Sequence, residues 1–105
     1  RRVKLNGMET TPRPKRRRLK MARPVLVRPS NHTDKHFQEV RTTVSASPGG
    51  LYFTSWRDGY YKGMRVFVTY PYSAQGPVGS SEYVGEVTAV DQLEGMRRGI
   101  GVRFV

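Results

Sequence analysis

A chain of 105 residues with a net charge of +11 and 36% hydrophobic residues can form one small domain, not two. It has no cysteine, which excludes a disulfide framework and a thiolate metal site. No apolar run approaches the roughly 18 residues of a membrane span, and no secretory signal pattern is visible, so the expected compartment is the cytoplasm.

The charge is unevenly spread. Residues 1–23 hold ten of the 19 basic residues against one acid, Glu9, a balance of +9. Residues 24–105 hold nine basic and seven acidic residues, a balance of +2. The run Lys15-Arg16-Arg17-Arg18, after Thr11-Pro12-Arg13-Pro14, repels itself and has little apolar surface to bury. Residues 1–22 are therefore expected to form a flexible basic arm, and residues 23–105 the folded domain. The arm reads either as a solubilising tail or as an anion-binding segment that orders on a phosphate-bearing ligand. The chain opens on Arg1 rather than Met, with Met8 and Met21 as candidate starts.

From Pro24 onward the punctuation is that of an all-β protein. Pro24 to Pro29 is a short apolar run fenced by prolines, suited to a first or edge strand, and Ser30 to Lys35 reads as a loop. Phe37 to Val44 carries the β-branched set Val40, Thr42, Thr43 and Val44, a second strand. Ser45-Ala46-Ser47-Pro48-Gly49-Gly50 then reads as a turn. Leu51 to Thr54 is an aromatic strand closed by Ser55 to Gly59, and Arg65 to Tyr70 alternates well until Pro71 ends it. Ser73 to Ser81 is a long turn. Glu82 to Val90 is the next strand, and Asp91 to Arg98 is polar with a turn at Glu94-Gly95. Ile100, Val102 and Phe104 share one face of a last strand, with Gly101 and Arg103 on the other. About six short strands without an amphipathic helix predict a sheet that closes into a barrel, since closure removes exposed edges.

Groups for catalysis are not apparent. His32 and His36 lie four apart in a polar loop beside Asp34, without a third ligand at a useful spacing. The serines at 45, 47, 80 and 81 have no base in a strand–turn–helix context. Gly76-Pro77-Val78-Gly79 lacks the Lys-Ser/Thr ending of a phosphate loop. The expectation is a binding domain, not an enzyme, with no cofactor and no metal.

Two elements suit an anionic nucleotide. Arg16-Arg17-Arg18 and Arg23 precede the first strand, and guanidinium groups match phosphate oxygens and the O6/N7 edge of guanine. In the turn, Ser45 and Ser47 offer hydroxyls beside glycines that let a ligand approach the backbone. Ser, Pro and Gly also populate hairpins for conformational reasons alone.

An arginine motif before the first strand, followed by an acid-x-Ser-x-x-Gly turn between two strands, resembles the PilZ domain. Gly50-Leu51-Tyr52-Phe53, Lys62 to Val68, Gly85 to Val90 and Gly99 to Phe104 are similar to later segments of that family, so the resemblance covers about residues 16–105. It implies a six-stranded antiparallel β-barrel that binds cyclic di-GMP, a bacterial second messenger, through Arg17, Arg18, Arg23, Ser45, Ser47 and Gly50. The chain departs from the pattern at two points. The family's arginine motif is Arg-x-x-x-Arg, but Leu19 stands four residues before Arg23, and the nearest arginine is Arg18. Ser45 stands where the family has Asp or Asn, and a hydroxyl cannot accept the paired guanine N1 and N2 donors as a carboxylate does.

A second expectation is a degenerate PilZ domain serving as a protein-interaction adaptor. Its anchor would be the aromatic stretch Trp56-Arg57-Asp58-Gly59-Tyr60-Tyr61, with Tyr60 and Tyr61 replaceable without loss of fold. A third, an RNA- or DNA-binding barrel with the arm as handle, is disfavoured by the near-balanced charge of residues 24–105.

Overall fold

The computed structural model describes residues 22–76 and 81–105. Arg17 and Arg18, and the predicted arm up to residue 21, lie outside the described residues. Six strands form: β1 (Pro24–Pro29), β2 (Glu39–Ser47), β3 (Gly50–Ser55), β4 (Arg65–Tyr70), β5 (Ser81–Gln92) and β6 (Arg98–Phe104). They close into an antiparallel barrel in the order β1-β2-β3-β6-β5-β4, with β1 returning to pair with β4. The all-β, six-stranded antiparallel barrel expected from the sequence is the fold observed. Among the described residues no helix is long and apolar enough to cross a membrane.

Period-two alternation fills the interior. Val25 and Val27 of β1, Leu51 and Phe53 of β3, Val66 and Val68 of β4, Val87 of β5, and Ile100 and Val102 of β6 all point inward and are buried. β2 reaches the same end by a different route. Thr43 pairs with Phe53 and Ser45 with Tyr52, so Val44 is an extra residue, a bulge whose side chain lies outside. Thr43 and Ala46, three apart, therefore both face the core.

Consecutive strands are neighbours except at one step. β3 borders β2 and β6, whereas β4 borders β5 and β1, so the connection Trp56–Met64 must cross one end of the barrel. It plugs that end with Tyr60 and Met64, both buried, and the Tyr60 ring meets Phe37 and Phe53 edge-on at 5.2 and 5.7 Å. Tyr60 is therefore core. The expectation that it is a dispensable surface anchor is corrected, because alanine there would empty the plug. Trp56 and Tyr61 of the same stretch are exposed.

The second strand and the turn after it also differ from expectation. Phe37 belongs to the loop, held against Tyr60 and under the Arg57 guanidinium at 4.8 Å. β2 runs on through Ser45, Ala46 and Ser47, leaving only Pro48 and Gly49 as the turn. The bulge accounts for the extension: with one supernumerary residue absorbed, Ser45, Ala46 and Ser47 fall into register with Tyr52, Leu51 and Gly50.

Candidate functional site

The β2–β3 hairpin, the start of β1 and the finish of β6 gather at the end of the barrel opposite the plug. Arg23 extends the β1–β2 pairing by one step. Its N–H donates to Thr43 Oγ1 at 3.1 Å, and its carbonyl accepts from the Thr43 N–H at 2.9 Å. Its side chain is exposed and has no ion pair among the described residues. From Thr43, Ser45 lies two residues along β2 and Ser47 four, about 7 and 13 Å at strand rise. Across the sheet the order is thus Arg23 on β1, Ser45 and Ser47 on β2, Gly50 and Tyr52 on β3, and Arg103 on β6.

Ser47, Gly49, Tyr52, Thr88, Ala89, Gly101, Val102 and Arg103 line an open groove of about 500 Å³ on the outer wall. Its floor is shallow because small residues make it. Ser47 Oγ accepts from the Gly49 N–H at 3.3 Å, a local bond that sets the bend, and its hydroxyl proton has no acceptor among the described residues. The Gly49 carbonyl accepts from the Phe104 N–H at 2.8 Å, which fastens the hairpin to β6.

Of the sequence-predicted residues, Ser47 lines the groove and Ser45 flanks it opposite Tyr52. Gly50 is buried between strands. A Cβ there would collide with the Val102 carbonyl oxygen, so the missing side chain serves the β3–β6 contact. Arg23 stands one strand further out, opposite Thr43 and four residues of β2 short of Ser47. His32 and His36 are exposed in the loop joining β1 to β2.

Two features escaped sequence reasoning. Tyr52 lies across Gly99, with its hydroxyl donating to Asp91 Oδ2 at 2.8 Å, so the ring is a fixed wall of the groove. Partial burial, then the Asp91 hydrogen bond and charge, hold its phenol above the ordinary tyrosine value. The other feature is Glu39, at the plugged end. Its carboxylate, 13% exposed, accepts from Ser55 Oγ at 2.9 Å and Tyr60 OH at 2.5 Å, with Arg57 Nε 3.7 Å away. The only cue in the sequence was an acid in phase with inward-facing Thr43.

No protein-family model matches the chain, and no curated protein matches it either.

Burial, above all, and then the Glu39 hydrogen bond hold the Tyr60 phenol well above its usual value. In the unfolded chain the same phenol ionises near pH 10. The stabilisation from the neutral phenol is therefore complete below about pH 10 and declines as pH rises beyond it, since the unfolded state then binds fewer protons. Urea unfolding at pH 9 and pH 11 is expected to show this loss. Tyr60→Phe should be less stable at pH 9 and show a smaller fall between the two pH values. An equal fall in both chains would assign the alkaline sensitivity to other groups.

Proposed function

We propose that this domain is a PilZ-type receptor that binds cyclic di-GMP on the outer wall of the barrel, beside the β2–β3 hairpin. The observation that carries the reading is the arrangement of the two sequence motifs. The second shapes a groove through Ser47 and Gly49, and Arg23, the last residue of the first, is bonded through its backbone to the same strand. A dinucleotide in the groove would meet hydroxyl and main-chain donors from the bend and a guanidinium from the β1 side. Ligand capture would order the basic residues before β1 and present an altered surface to a partner.

Ser45 is the weak point of this site. An aspartate in its place would accept two guanine donors with charge assistance, worth about 1.5–3 kcal/mol. Isothermal titration is expected to detect binding at about 100 µM ligand or below. Arg23→Ala should weaken it by about tenfold, and Ser45→Asp should tighten it by about tenfold or more. No heat in the unmodified chain would remove the receptor reading. It would favour a protein-interaction adaptor, for which Trp56 at 60% exposure and Tyr61 at 47% are the available anchors.

A further inference from the structure

We infer that Arg103, a residue outside both motifs, is a ligand-binding residue that takes a phosphate of the bound nucleotide from the β6 side of the hairpin. The inference rests on the receptor reading above and adds a second cationic contact to it. Among the described residues Arg103 is the one cation lining the 500 Å³ groove. It pairs in register with Gly50 on one side and Glu86 on the other, so it stands directly beside the bend, whereas Arg23, opposite Thr43, lies four residues of β2 short of Ser47. Arg103 therefore brings a cation to the bend itself, with Arg23 further down β2, and a ligand with two phosphates has two anionic groups to place.

The present partner of Arg103 does not tie it down. Its Nη2 lies 2.9 Å from Glu86 Oε1, but the arginine side chain is 61% exposed. Ion pairs this open contribute little and exchange readily for a better anion. A phosphate offers a guanidinium two parallel acceptors, which makes the exchange favourable. Tyr52 makes the contact directional. Fixed by Asp91 and lying along Gly99 and Gly101, its ring walls the trough through which a base would lead to Arg103.

The test is titration of the full chain with cyclic di-GMP at two salt concentrations, using wild type, Arg103→Gln and Glu86→Gln. Arg103→Gln is expected to weaken binding by about tenfold or more and to flatten its salt dependence. Glu86→Gln, which frees the guanidinium, should bind as tightly as wild type or more tightly. Circular dichroism should show both variants folded, since both side chains lie on the outer wall. If Arg103→Gln binds within twofold of wild type, with unchanged salt dependence, Arg103 is not a ligand residue although the receptor reading stands. A matching loss in Glu86→Gln would mean that the ion pair matters and not the free cation, which also overturns the inference. No binding by wild type would instead fail the receptor reading, and this inference with it.

Discussion

Replacing Glu39 with alanine is expected to lower the unfolding free energy by about 3 kcal/mol, far more than a typical surface change. The carboxylate closes the plugged end of the barrel. It accepts from Ser55 Oγ, a fully buried hydroxyl, and from Tyr60 OH, and Ser55 Oγ in turn accepts the Arg57 N–H at 3.0 Å. The alanine variant loses two charge-assisted bonds and leaves the Ser55 and Tyr60 hydroxyls with no acceptor in a nearly dry site. For a domain of this size the melting temperature should fall by more than about 10 °C. Glu39→Gln keeps the shape and one acceptor oxygen but turns N–H donors toward groups that already donate, so it should cost less, about 1–2 kcal/mol. A Glu39→Ala chain as stable as wild type would show that water satisfies these hydroxyls.

Gly50→Ala should be comparably severe, at about 3 kcal/mol, for a purely steric cause. The added Cβ would strike the Val102 carbonyl oxygen and crowd the Arg103 Cα, and backbone on both sides leaves nothing flexible to give way. The β3–β6 seam, which runs from Gly50↔Arg103 to Ser55↔Arg98, would have to open at the hairpin. Gly99→Ala is the control. Its Cβ meets only the Tyr52 phenol, the far end of a side chain, which can swing away at the expense of the Asp91 bond. Thermal unfolding of both should show a large loss for position 50 and a small one for position 99. Any loss of ligand binding in Gly50→Ala then has to be read as a loss of fold, because Gly50 is buried and only its strand neighbours feel the change.

The barrel was legible because its strands obey simple alternation. Val25 and Val27, Val66 and Val68, and Ile100 and Val102 each mark an inward face two residues apart, and Pro29 and Pro71 mark ends where a ladder donor is missing. β2 is obscured where alternation fails. Its bulge at Val44 makes Ser45, Ala46 and Ser47 look like the opening of a turn, and their compositional likeness to a loop hides three paired residues. The aromatic stretch was ambiguous for another reason. Trp56, Tyr60 and Tyr61 carry no periodicity in a crossing loop, and only the path of the chain over the barrel end decides that Tyr60 goes in while its neighbour stays out. The motif side of the candidate site could be read from local order, since Ser47 and Gly49 act within one hairpin. Arg103, Tyr52 and Asp91 could not, because strand pairing brings them together over as many as 51 positions of chain.

The supernumerary residue in β2 also decides which way the two candidate serines look. Counting by twos from Thr43, whose side chain is interior, both Ser45 and Ser47 would be carried into the hydrocarbon centre, and Ala46 would be turned out to water. Val44 reverses that parity, so the hydroxyls reach solvent and the methyl group fills the inside. The chemical character of this wall thus depends on a single inserted position whose own valine touches neither the groove nor the core.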